Sequence, residues 1–228
     1  VDEIVTAVAD SKLVFICNPN NPTGSITSLE KIRKITQQLA GKAIVVVDEA
    51  YIEFCPEQTA ASLINEFSNL VVLRTLSKAF ALAGLRTGFT LANSELLAPI
   101  RKVIAPYPVS TVVASIAADA LSSDNIASMR RQVTILNSLK AKLKSWLEQS
   151  PAVIKVLSGE GNVVTLKLKD KQSFNIALEQ GLVMRAFTLY GEHDWLRISI
   201  GNEQELEQVK VWLDGLSLTS KTVEQELS

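Results

Sequence analysis

The run Ala43-Ile44-Val45-Val46-Val47 constrains this chain most: it is wholly apolar and breaks abruptly into Asp48-Glu49-Ala50-Tyr51. A strand with no polar position leaves neither face for water. Such strands belong to parallel sheets covered on both sides by helices. The same layout recurs along the chain. Leu13–Cys17 runs into Asn18-Pro19-Asn20-Asn21-Pro22-Thr23-Gly24, and Leu70–Leu73 runs into Arg74-Thr75-Leu76-Ser77-Lys78. Gly88–Ala92 reads as a fourth strand, and Leu29, Ile32, Ile35 and Leu39 mark one face of an intervening helix. From residue 12 to about 92 this alternation predicts an α/β fold with a mostly parallel sheet.

The second half reads differently. Thr111–Leu121 is helical, and so is a long segment from Asp124 to about Ser150. In the latter, Ile126, Met129, Val133, Leu136, Leu143 and Leu147 form one stripe before Pro151 stops it. Strands then follow at Val153–Leu157, Val163–Leu168 and Trp195–Ile200, with helices near Gln172–Gln180 and Glu203–Leu213. This predicts a large-domain portion over residues 1–120 and a small α+β domain over 121–228 that includes the long helix. Lys221–Ser228 reads as a polar tail.

Composition limits the function classes. At 47% hydrophobic and 21% charged residues, a 228-residue chain can bury a sizeable core. A net charge of -1 argues against a polycationic nucleic-acid surface, and two cysteines with one histidine give no zinc or disulfide framework. No apolar run approaches the ~20 residues of a membrane span. A soluble, cytoplasmic protein with no metal, nucleic-acid or membrane partner is expected. The chain opens on Val1, and Val1, Ile4, Val5 and Val8 fall at helical spacing. That reads as a helix already under way, and predicts a further N-terminal portion.

In an open parallel sheet, ligands bind beyond the carboxyl ends of the strands. The three polar clusters all begin there. Lys78, near the end of an apolar strand, is expected to be partly desolvated, which makes an amine nucleophilic. Asp48 offers a carboxylate for a ring nitrogen, Thr75 and Ser77 offer two hydroxyls, and Arg86 offers a planar fork for phosphate. These are the fittings that pyridoxal 5'-phosphate (PLP) requires. Each residue also has a plainer use. Asn21 can serve a turn, Thr75 and Ser77 can cap the next helix, Tyr51 can be core, and Lys78 can be solvated.

Farther on, alternation places Leu196, Ile198 and Ile200 on one face of a strand and Trp195, Arg197 and Ser199 on the other. That makes Arg197 a cleft-facing guanidinium. His193 reads as a surface loop residue, Cys17 as a small strand hydrophobe, and Gly159 and Gly161 as a turn rather than a phosphate loop.

The blocks Asn18–Gly24, Asp48–Tyr51 and Thr75–Lys78 with Gly84-Leu85-Arg86-Thr87-Gly88, in that order, resemble those of class I/II aminotransferases of PLP fold type I. The wording from Ser77 to Arg86, with Val183-Met184-Arg185 and Trp195-Leu196-Arg197-Ile198, is most similar to the branch that transaminates histidinol phosphate in histidine biosynthesis. The resemblance implies a partial PLP-binding large domain and a small C-terminal domain. It implies that Lys78 bonds the cofactor, Asp48 pairs with its pyridine nitrogen, and Asn21 and Tyr51 hold its phenolic oxygen. Thr75, Ser77 and Arg86 would take its phosphate. Arg197 would bind a substrate carboxylate, and Arg185 would join it on the substrate phosphate. The substrates implied are a small amine and a 2-oxo acid, 2-oxoglutarate becoming glutamate, in a homodimeric enzyme. Family members also carry an N-terminal region and a partner tyrosine at the cofactor phosphate. Residues 1–228 alone are therefore expected to bind PLP weakly and to have little or no aminotransferase activity. Rivals are an aromatic amino-acid aminotransferase, a phosphothreonine decarboxylase, a non-catalytic fragment, and a nucleotide-binding Rossmann domain that lacks its glycine fingerprint.

Overall fold

The structure is a computed structural model that describes residues 1–157 and 159–226, with side chains described as far as Leu216. Contacts divide the chain into two compact units, one of residues 1–21 and 25–133, the other of 22–24 and 134–228.

In the first unit, α1 (Asp2–Val8) precedes β1 (Leu13–Cys17), α2 (Leu29–Gln38), β2 (Ile44–Asp48) and β3 (Leu70–Thr75). Then come β4 (Gly88–Ala92), α3 (Ser94–Val103), α4 (Thr111–Ala120) and the start of α5 (Ser123–Gln149). The sheet order is β1-β2-β3-β4; β1, β2 and β3 are parallel, and β4 runs antiparallel to β3. A mostly parallel sheet is thus what the apolar runs produce.

Helix α2 starts where the Ser28 hydroxyl accepts the Lys31 amide. It buries the expected Ile32, Ile35 and Leu39 in a core with Val45, Val47, Leu70 and Val72. Burying each of these larger side chains stabilises the fold by about 1.5–3 kcal/mol. Val8 of α1 joins the same core, with Val1 and Val5 packed against it.

Three expectations need correction here. β1 was expected to be buried on both faces, yet Leu13 and Phe15 are 52% and 66% exposed, because β1 pairs only with β2 and its alternate side chains meet no cover. β4 is likewise largely exposed. Residues 94–103 form a helix that the apolar pattern did not announce, since α3 buries no residue and carries Pro99 inside it.

The second unit holds most of α5, then β5 (Val153–Leu157), β6 (Val163–Leu168), α6 (Lys171–Glu179), β7 (Arg185–Leu189), β8 (Glu192–Ser199) and α7 (Glu203–Glu226). Its sheet order is β5-β6-β8-β7 and every pairing is antiparallel. Leu143 and Leu147 of α5, Leu166 and Leu168 of β6, Leu196 and Ile198 of β8, and Trp212 of α7 share one core. The Trp212 indole N–H donates to the Ser173 carbonyl at 3.0 Å, which lets the indole lie fully buried.

β7 is new relative to the sequence pattern. Tyr190 and Gly191, both at positive φ, turn β7 into β8 as a tight hairpin. His193 consequently lies in a strand rather than a loop; its ring meets the Thr188 hydroxyl at 3.0 Å and stays exposed. α7 continues well past Leu213. The tail expected from Lys221 is helical as far as Glu226, and Leu227 and Ser228 lie outside the described residues. No helix among the described residues is long and apolar enough to cross a membrane.

Candidate active site

The register of the first sheet brings the three polar blocks to one level. Cys17 pairs with Asp48, and Asp48 pairs with Leu73, so β1, β2 and β3 release their chains at the same rim. The Asn18 amide donates to the Asp48 carbonyl at 2.8 Å and the Glu49 amide to the Leu73 carbonyl at 2.9 Å, which extends the ladder into the loops. Buried Asn18 anchors the first loop by accepting the Thr27 amide on Oδ1 at 2.8 Å.

Asn21, Tyr51 and Lys78 come together at this rim. Asn21 Nδ2 donates to the Tyr51 hydroxyl at 3.5 Å, and Lys78 Nζ lies 5.2 Å from the centroid of the Tyr51 ring. Tyr51 is buried, which fixes the ring that the other two approach. Asp48 Oδ1 accepts the Ala50 amide at 3.0 Å; nothing among the described residues donates to Oδ2. Thr75 and Ser77 stand hydroxyl to hydroxyl at 2.9 Å, with the Ser77 amide donating to Thr75 Oγ1 at 3.1 Å.

Arg86 departs from the sequence expectation in detail. It adopts the left-handed conformation, φ 55°, and its guanidinium donates to the Ala83 carbonyl at 3.1 Å while remaining exposed. Lys78 departs more. It is exposed, not desolvated, because β3 ends at Thr75 and Lys78 lies in the bend beyond it.

Arg185 and Arg197 belong to the second unit, where they occupy directly opposed positions on β7 and β8. Side chains opposed in an antiparallel pair share a sheet face, and like charges there repel. An anion held by both guanidinium groups would reverse the sign of that interaction.

A further set of polar residues escaped the sequence reading. Arg74 Nε donates to Glu49 Oε2 at 2.7 Å, Nη1 to Glu53 Oε1 at 3.1 Å, and Nη2 to Thr59 Oγ1 at 2.8 Å. Glu49 is fully buried; it also accepts the Thr59 hydroxyl at 2.9 Å and the Ala60 amide at 2.5 Å. Burial pushes the carboxyl groups of both Glu49 and Glu53 above the ordinary carboxylate range, against the pull of Arg74. Burial likewise raises the Cys17 thiol, which donates to the Pro19 carbonyl at 3.4 Å.

An α/β scaffold with a lysine, a carboxylate, a tyrosine–asparagine pair and a hydroxyl pair at one strand-end rim defines the class, and comparison with known proteins agrees. The family model for aminotransferase class I and II matches residues 1–210, and the chain belongs to that family. Among its relatives, histidinol-phosphate aminotransferase 2 of Mannheimia succiniciproducens is 44% identical over 213 residues, covering 92% of this chain and 61% of that protein. The histidinol-phosphate aminotransferase of Pectobacterium carotovorum is 43% identical over 221 residues, 95% of this chain and 61% of that protein. The chain thus spans about three-fifths of the length of these relatives. The crystal structure of the histidinol-phosphate aminotransferase from Clostridium acetobutylicum superposes with a TM-score of 0.87 at 24% identity, covering 96% of this chain and 67% of that one. The fold is that of the PLP-dependent transferases of fold type I, the family's enzymes being PLP-dependent.

Proposed function

We propose that this chain carries the cofactor rim and substrate arginines of an aminotransferase that moves an amino group between histidinol phosphate and 2-oxoglutarate in histidine biosynthesis. The observation that carries the reading is the meeting of Asn21, Tyr51 and Lys78 beside Asp48 and the Thr75–Ser77 hydroxyl pair. The names of the relatives at 43–44% identity supply the substrate.

The residues present fit PLP. Asp48 keeps Oδ2 as an acceptor for a ring N–H while Oδ1 takes the Ala50 amide, and the Asn21–Tyr51 pair offers two donors to a phenolic oxygen. The Thr75 and Ser77 hydroxyls, 2.9 Å apart, suit a phosphate dianion, and the exposed Arg86 guanidinium would have to turn from the Ala83 carbonyl to join them. When bound, PLP supplies a carbonyl carbon for the amine and a cationic ring that withdraws electrons from the substrate carbon.

The rest falls to this chain's side chains. Lys78 Nζ would be the amine that bonds the cofactor's carbonyl carbon, and as a free amine it would take the proton from the amine-bearing carbon of the substrate. Asp48 keeps the ring nitrogen protonated. Asn21 and Tyr51 stabilise negative charge on the phenolic oxygen. Arg197 orients the carboxylate of the 2-oxo acid, and Arg185 joins it on the phosphate of histidinol phosphate. We read the enzyme as a cytoplasmic homodimer acting on small molecules, with no nucleic-acid or membrane partner.

The test is a comparison, in the full-length enzyme, of initial rates with histidinol phosphate, phenylalanine and phosphothreonine, each in the presence of PLP and 2-oxoglutarate. A clear preference for histidinol phosphate is expected. Preference for phenylalanine, or carbon dioxide release from phosphothreonine, would replace the reading with one of its rivals.

A further inference from the structure

Arg74 lies next to Thr75 in sequence but not on its side of the sheet. Asp48 is in register with Leu73, so Asp48, Leu73 and Thr75 share one face, and Glu49 and Arg74, one residue on, take the other. Arg74 therefore reaches the rim through the backbone. It does so at two places, because Glu49 directly follows Asp48 and Glu53 lies two residues beyond Tyr51. Thr59 closes the set, accepting from Arg74, donating to Glu49 and accepting the Ala61 amide at 3.1 Å.

We propose that Arg74 is a positioning residue, whose guanidinium locks the segment carrying Asp48 and Tyr51 to the strand that delivers Thr75, Ser77 and Lys78. Each of its three nitrogens has its own acceptor, on Glu49, Glu53 and Thr59. A lysine keeps the charge but has one nitrogen, and cannot hold three acceptors in the fixed directions of a planar fork. The side-chain network spans 25 positions from Glu49 to Arg74, so the two loops have no short covalent connection to set their spacing. Pairing of β2 with β3 fixes the strands themselves, and the loops beyond need this second tie.

The proposal rests on the PLP reading above, and its test separates the two. PLP dissociation constants, the pH dependence of the cofactor's visible band, kcat and KM are measured for the holoprotein and its Arg74→Lys variant, with melting curves of both apoproteins. Arg74→Lys is expected to fold and to melt a few degrees below the parent, since some buried acceptors lose their donor, while its PLP dissociation constant rises about tenfold. The midpoint of the visible-band titration should move, and kcat should fall with KM for histidinol phosphate little changed. A variant with parental PLP affinity and an unmoved titration would overturn the proposal, leaving Arg74 a purely structural residue. If Arg74→Lys does not fold, the Glu53→Ala, Thr59→Val double variant decides the matter. It takes away two of the three acceptors of Arg74 and leaves the Glu49 ion pair, so weakened PLP binding supports the proposal and unchanged binding refutes it. A full-length parent that fails to bind PLP would instead refute the PLP reading itself.

Discussion

Replacing Gly24 with Ala should destabilise the second unit by about 2–3 kcal/mol. Gly24 sits at φ +72°, where an L side chain costs about 1–2 kcal/mol. An added Cβ would also stand 2.8 Å from Gly159 Cα and 2.9 Å from the Glu160 carbonyl oxygen. Both neighbours are backbone atoms, so relief requires moving one loop away from the other. That movement stretches the Glu160 amide to Gly24 carbonyl bond, now 2.7 Å, whose net worth is about 1 kcal/mol. Gly41 is the control: its φ is +73°, and a Cβ there would meet nothing within 4 Å. Gly41→Ala should therefore cost only the conformational part, about 1–2 kcal/mol. Urea unfolding of the two variants beside the parent gives the difference directly, and in thermal melts each kcal/mol corresponds to about 2–4 °C for a chain of this size. Equal losses for the two variants would refute the argument from close approach.

Asp48→Ala should leave the fold largely intact yet slow proton abstraction on the order of 100-fold, since a charge-assisted contact to the ring nitrogen is worth a few kcal/mol; pre-steady-state kinetics with PLP present checks it. Arg185→Ala should raise KM for histidinol phosphate by about tenfold or more and change KM for 2-oxoglutarate less, which steady-state kinetics with each substrate varied would show. The raised Glu53 carboxyl favours its protonated form in the folded state. Its stabilising contribution is complete below the unfolded value of about 4.3 and is lost as pH rises through the higher folded value. Glu53→Gln, which mimics the protonated form, should flatten that alkaline-side loss in unfolding free energy measured across pH.

Much of the fold was legible because its signals are local. The Ala43–Val47 run became β2 to within a residue, and the i, i+3 spacing from Leu29 to Leu39 became α2. The rim was legible for the same reason: each polar block begins where an apolar run ends, and parallel register does the rest. What failed depended on neighbours in space. The exposure of Leu13 and Phe15 follows from what lies beside β1, which no pattern within Leu13–Cys17 encodes. Exposure of Lys78 depends on the turn after β3, not on the apolar residues before it. Glu49 and Arg74 were visible as residues, but their pairing joins positions 25 apart, and Thr59 between them carries no sequence signal of its own. β7 was hidden because it is short and mostly exposed, so it lacks a buried alternation; the glycine at 191, where the hairpin turns, was the local hint.

The most direct test of the account is chemical. The protein is incubated with PLP, reduced with borohydride, digested, and mapped for the lysine that carries the label. The account predicts label on Lys78, the amine beside Tyr51 at the strand-end rim. Stable label on Lys42 or Lys102 with Lys78 unmodified would contradict it.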